Sequence, residues 1–226
     1  MRTGIIGAME EEVKSLVINM QDVVETHRAG TVEYNGKLCG QDVCVVKCGV
    51  GKVAAAAVTQ LLISEFGIDC AINTGLAGGL KKGIKVGDVV ISTQTEYFDV
   101  TPSVLRANFP NGGVYPADKK LIEKAVRAAK ELGIEDKLHV DVVTTGDQFI
   151  TESAQKQWLL GITSARCNDM EGAAIAQTCY NNGKPFLIVR IISDLADDSA
   201  KDTYYDFKKE APKLCNDVIM NMLSMI

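Results

Sequence analysis

The chain has 226 residues, 46 % apolar and 23 % charged, with a formal net charge of −5. That length and ordinary globular composition suit one domain, 1–226, that buries roughly 70 % of its unfolded surface without disulfides or metals. The acid excess with no basic stripe excludes a nucleic-acid surface. No run of eighteen apolar residues and no charged segment leading into a long apolar one occurs, so neither a membrane span nor a signal peptide is expected.

In chain order, Arg2 to Gly7 reads as a short buried strand running into a helix that starts near Met9, with Val13, Leu16 and Val17 on its inward face. Three β-like runs follow at Val23–Arg28, Thr31–Leu38 and Asp42–Cys48, separated by hairpin signals at Gly30 and Cys39-Gly40. Lys52 to Phe66 is an Ala-rich helix, and Cys70 to Thr74 a strand ending in the loop Gly75-Leu76-Ala77-Gly78-Gly79. Asp88 to Phe98 is a long β run, while residues 99–116 hold no clear period. Ala117 to Leu132 reads as an amphipathic helix, His139 to Thr145 as a strand and Met170 to Tyr180 as a helix. Phe186 to Ile192 is a buried strand, and Tyr204 to Met225 a closing helix. Strands and helices alternate, which predicts a three-layer α/β/α architecture with a mixed, mainly parallel central sheet. The seven cysteines are odd in number and sit mainly in apolar runs, as expected of a reduced cytoplasmic chain. Cys39, Cys44 and Cys48 have neither CxxC spacing nor a nearby histidine, so no metal site is expected.

In open α/β sheets ligands collect beyond the carboxyl ends of the strands. Five segments stand there: Met9-Glu10-Glu11-Glu12, the glycine loop with Leu76, Gly146-Asp147-Gln148-Phe149-Ile150, Asn168-Asp169-Met170-Glu171-Gly172, and Ser193-Asp194. Carboxylates recur among them and histidines do not. Each has a plainer structural reading as well. Acids in a helical first turn are favoured by the macrodipole, which covers Glu10–Glu12 and Glu171, and Asp194 suits a cap. Gly4-x-x-Gly7 lacks the dinucleotide fingerprint. Gly49-Val50-Gly51-Lys52 is no phosphate loop, because Val46 and Val53 stand where glycine and a hydroxyl residue belong. These residues by themselves imply an α/β enzyme with carboxylates at its strand ends.

Six separated motifs carry the reading further. They are Gly4-Ile-Ile-Gly-Ala-Met-Glu-Glu-Glu12, Gly49-Val-Gly-Lys-Val-Ala54, Asn73-Thr-Gly-Leu-Ala-Gly-Gly79, Gly87-Asp-Val-Val90, Met170-Glu-Gly-Ala-Ala174 and Ile192-Ser-Asp194. In this order they resemble the 5′-methylthioadenosine/S-adenosylhomocysteine nucleosidase family of the nucleoside phosphorylase superfamily. The resemblance spans nearly the whole chain. It implies a homodimer without cofactor or metal that hydrolyses 5′-thio-substituted adenosines, and 5′-deoxyadenosine, to adenine and the free sugar. Carried over residue by residue, it implies Asp194 as the acid for adenine N7, Glu12 as the base for water with Arg190 assisting, and Glu171 on the ribose hydroxyls. Phe149 would stack on adenine, the Ile150 backbone would read its edge, and Met9 and Met170 would pack on the ribose. Val50, Leu76, Ala77, Gly78, Asp169 and Ser193 would complete the substrate site. The acids after the first strand would repel phosphate, which favours hydrolysis over phosphorolysis. Three places depart from the family pattern. Leu76 stands for the usual serine, Asp169 for a glutamate, and the segment from Tyr97 to Pro102 lacks a His-Asp run. A phosphate-dependent phosphorylase and a nucleoside-binding homologue with reduced turnover remain as alternatives.

Overall fold

The computed structural model describes residues 1–208 and 212–225. Its central strands have no polar face. β1 (Thr3–Gly7), β5 (Cys70–Gly79) and β10 (Phe186–Asp194) are buried at every position, the pattern of strands covered on both sides by helices. β1 lies parallel to β4 (Gln41–Lys47) and to β5, and β5 lies parallel to β10. β10 runs antiparallel to β6 (Val89–Tyr97), and β6 parallel to β8 (Leu138–Thr145). β8 pairs in parallel with β9 (Cys167–Asp169), which returns antiparallel onto β5. The ring β5–β10–β6–β8–β9 therefore closes on itself. β1, β4, β3 (Thr31–Leu38) and β2 (Gln21–Arg28) extend from it as an open arm, and β7 (Val114–Pro116) edges β6.

The sheet is mixed, as expected, with the parallel pairings at its centre and an antiparallel hairpin arm at one edge. α1 (Glu10–Ile18), α4 (Lys119–Glu131) and α8 (Pro212–Ser224) form one helical layer. α2 (Lys52–Ser64) and α6 (Gly172–Asn181) pack together as another. Buried Gly172, Ala173, Ala174 and Ala176 give α6 a smooth face, so it sits close to its neighbours. Among the described residues no helix is long and apolar enough to cross a membrane.

The structure departs from the sequence-based expectation in several places. Gly75 to Gly79 is the second half of β5 rather than a loop, and Ser193 and Asp194 lie inside β10 rather than after it. The stretch without a period, 99–116, contains the short helix α3 (Pro102–Asn108) as well as β7. α5 (Ser153–Ile162) and β9 had no sequence signal. α5 buries only Leu159, so it carries no inward stripe, and β9 is three residues long. The expected closing helix 204–225 is two helices, α7 (Ala200–Phe207) and α8, and its residues 209–211 lie outside the described residues. Pro212 stands at the first position of α8, where its missing N–H costs nothing.

Candidate active site

The carboxyl ends of the parallel strands β1, β5 and β10 meet at an open cleft. Twelve of the residues expected from sequence line it: Met9, Glu12, Val50, Leu76, Ala77, Gly78, Phe149, Asp169, Met170, Glu171, Ser193 and Asp194. Two do not. Arg190 is 1 % exposed and stands behind the wall, and the Ile150 side chain packs with Leu80, Phe98 and Leu159. Ala8, Gln148 and Asn168, which stand in the candidate segments and motifs without an assigned role, also line the cleft, as does Tyr204, which no motif contained.

Of the three acids that open α1, only Glu12 turns inward; Glu10 is exposed and Glu11 partly so. Glu12 Oε2 accepts hydrogen bonds from the backbone N–H groups of Ala8 (2.6 Å) and Met9 (3.0 Å). Its Oε1 accepts one from Leu76 N (3.0 Å), across 64 residues of chain. The macrodipole reading of this acid run is therefore only part of its role, since Glu12 ties α1 to β5. Burial pushes its carboxyl above the ordinary value, against the lowering pull of Arg190 and of the three N–H groups.

That approach explains the glycines of β5. A Cβ at Gly75 would overlap the Arg190 guanidinium and lie 2.6 Å from Glu12 Oε1. A Cβ at Gly78 would lie 2.8 Å from Asn168 Oδ1 and 3.1 Å from Asp194 Oδ1. Neither glycine has a positive φ, so they serve close approach and not a turn.

Glu171 caps α6 but makes no capping hydrogen bond. Its Oε1 instead accepts from Gly51 N (2.9 Å) at the start of α2, and its Oε2 lies 3.8 Å from Arg190 Nη2. Burial raises this carboxyl to about 7, Arg190 opposes that, and the neighbouring acids Asp169 and Glu12 add to it. Asp169 is bound at both of its oxygens. Its Oδ2 holds Arg190 Nε at 2.7 Å, and its Oδ1 accepts from Thr145 Oγ1 at 2.5 Å and Gly172 N at 3.1 Å. Arg190 also donates to Asn73 Oδ1. One buried cation thus faces Asp169, Glu171 and Glu12 and fixes their places.

Asp194 stands apart from that cation. Its Oδ2 accepts from Ser193 Oγ (2.8 Å) and its Oδ1 from Ala196 N (2.9 Å), a turn contact and not a helix cap, since the N-cap of α7 is Ser199. Burial raises its carboxyl, while those two donors pull it down. Phe149, 40 % exposed, leans over the mouth with its ring centroid 5.3 Å from that of Tyr204, whose hydroxyl donates to Met9 Sδ at 3.2 Å. The loop that carries Phe149 is anchored by Asp147, which accepts from Lys52 N (2.9 Å) and donates its own N–H to Asp99 Oδ2 (2.9 Å). Lys52 Nζ lies 2.6 Å from that same Asp99 oxygen. Among the described residues no three His, Cys, Asp or Glu side chains are grouped to hold a metal ion.

The family model of the phosphorylase superfamily matches residues 2–224. A 5′-methylthioadenosine/S-adenosylhomocysteine nucleosidase of an Exiguobacterium strain is 42 % identical over 218 residues, covering 93 % of this chain and 92 % of its own length. The corresponding nucleosidase of Neisseria meningitidis, solved in complex with methylthio-immucillin-A, superposes with a TM-score of 0.94 at 35 % identity and covers 100 % and 99 % of the two chains. The futalosine hydrolase of Helicobacter pylori superposes with a TM-score of 0.93 at 27 % identity, covering 100 % of this chain and 98 % of its own. One backbone thus hosts hydrolases named for different substrates, so the side chains around the cleft must decide between them.

Proposed function

The chain belongs to the 5′-methylthioadenosine/S-adenosylhomocysteine nucleosidases of the phosphorylase superfamily, and from that premise we propose how its own residues break the bond. The enzyme is an N-glycosyl hydrolase that converts a 5′-thio-substituted adenosine and water to adenine and the thioribose. Adenine leaves readily only when protonated. Asp194 supplies that proton to N7, and burial away from Arg190 keeps its carboxyl protonated to higher pH than an ordinary aspartate. As the C1′–N9 bond lengthens, positive charge spreads over the ribose. Glu171 binds the 2′- and 3′-hydroxyls and stabilises that charge. Glu12 takes a proton from the attacking water. An acid and a base thus act on opposite sides of a glycosidic bond.

Phe149 covers one face of the adenine and the Ala77-Gly78 backbone the other, while the main chain at Ile150 reads its edge. Met9 and Met170 pack on the ribose, beside Val50 and Leu76, and Ser193 steadies the acid. Arg190 is a positioning residue, as is Asp169, whose oxygens are already engaged. The observation that carries this reading is the convergence of buried Glu12, Glu171 and Asp194 from three segments on one cleft, the first two beside the buried Arg190 and the third apart from it. Adenine release from a panel of 5′-substituted adenosines, with and without phosphate, tests it. Phosphate-independent release is expected. Release only with phosphate would establish a phosphorylase, and tight adenine binding without release a binding protein.

The working unit is a homodimer. Val50, Val53, Trp158 and Ile162 are at least half exposed, apolar surface that a second copy would cover. Six of the seven cysteines are buried as free thiols, which suits the reducing cytoplasm.

A further inference from the structure

Asn168 is a buried polar residue on the cleft wall that none of these roles uses. It lies in β9, level with Gly78 of β5 on one side and Thr144 of β8 on the other. The side chain is 5 % exposed, and its Oδ1 is sealed from solvent with no hydrogen-bond partner among the described residues. A buried amide oxygen left unpaired costs on the order of 1–3 kcal/mol, a cost that an N–H donor on a bound ligand would remove. The direction of the oxygen points to that donor. Asn168 Oδ1 and Asp194 Oδ1 both come within about 3 Å of the point where a Gly78 side chain would begin, at 2.8 and 3.1 Å. The two groups converge over the bare backbone on which the base lies. If Asp194 addresses N7, the neighbouring heteroatom on that edge is the exocyclic 6-amino nitrogen, the only N–H donor of the adenine ring in a nucleoside.

We propose that Asn168 is a specificity-determining residue that accepts a hydrogen bond from the 6-amino group of the purine and so selects 6-aminopurines. The inference rests on the nucleosidase reading above and adds a base-reading group to it. A site built to accept from an amine rejects the analogue that lacks it, because the acceptor then stays unpaired.

Equilibrium binding separates the two ideas, since it needs no turnover. Adenine and unsubstituted purine, which has hydrogen in place of the 6-amino group, are titrated into the wild-type protein and into Asn168→Leu and Asn168→Asp. Wild type should prefer adenine by about tenfold or more, and Asn168→Leu should lose most of that preference by weakening adenine alone. Asn168→Asp keeps an acceptor and should retain the preference. It also serves as the second variant should the leucine protein prove unfolded by circular dichroism. If Asn168→Leu weakens both bases equally or leaves adenine unchanged, or if wild type fails to distinguish the two, the assignment is overturned. Failure of wild type to bind either base would instead sink the nucleosidase reading.

Discussion

At the scale of single residues, the three carboxylates differ in what surrounds them, and their substitutions should differ accordingly. Asp194 accepts one hydroxyl and one backbone N–H and touches no cation. Asp194→Asn keeps the shape and the bond from Ala196 N, with its amide nitrogen donating to Ser193 Oγ in place of accepting, but it has no acidic proton to give. Adenine release should fall by about 10³-fold or more, with adenine affinity within a few-fold of wild type by titration calorimetry. Retained turnover would remove Asp194 as the acid. Glu12 is held by three backbone N–H groups that together engage both oxygens, so a glutamine there must turn its amide nitrogen toward a donor. Glu12→Gln should abolish turnover and lower the melting temperature as well. Glu11→Gln, at a half-exposed position in the same acidic run, should do neither. Normal activity in Glu12→Gln would shift the base to another group. Leu76 contributes its backbone N–H to Glu12, and its side chain is nearly buried. The hold on the base therefore does not depend on the serine the family usually carries there.

At the scale of elements, β5 shows how far the sequence can be read. Its first half, Cys70 to Thr74, is legible as a strand because it opens on the apolar run Cys70-Ala71-Ile72. Its second half reads as a loop because glycines signal turns locally. What keeps Gly75 to Gly79 extended is pairing with β10 and β9, which arrive from distant segments, and no local window contains that information. Gly75→Ala would bring a Cβ against Arg190 and Glu12 and should cost at least about 10²-fold in kcat by displacing both groups. Gly161→Ala, where an added Cβ meets nothing within 4 Å, should leave turnover unchanged; equal effects in the two variants would refute the close-approach argument. The acids themselves were visible as motifs after strands. Arg190 as the shared cation of three of them was not, because its position behind the wall depends on β10 pairing with β5. Asn168 escaped for a related reason. Three residues of β9 are too short to show a period, and although Asn168 opens one of the five candidate segments, nothing local shows that its side chain faces the cleft.

At the scale of the whole molecule, burying these acids has an energetic cost. Glu12, Glu171 and Asp194 all hold their protons more tightly in the folded state than in the unfolded one. Stability from such a group is full below its unfolded value and is lost as pH rises through the folded one. For Glu171 that window runs from 4.5 to about 7. Glu171→Gln should stabilise the protein on the order of 1 kcal/mol more at pH 8 than at pH 4.5, read from denaturant midpoints at each pH. A gain independent of pH would mean the carboxyl is not the source of the strain. The proposed dimer is tested at the same scale. Val53 is 83 % exposed, and Val53→Asp should shift sedimentation toward the monomer, whereas an unchanged profile would place the contact elsewhere.

The closed ring of strands also bears on the order in which the polypeptide is made. β5 must wait for β9 and β10, roughly a hundred residues later, before both its edges are occupied. Contacts so distant in sequence form late and slowly. Until β10 slots between β5 and β6, Glu12 has no guanidinium near it and Asp194 has no enclosure. During synthesis, then, all three acids remain ordinary solvated carboxylates, and catalytic competence comes only with the last strand.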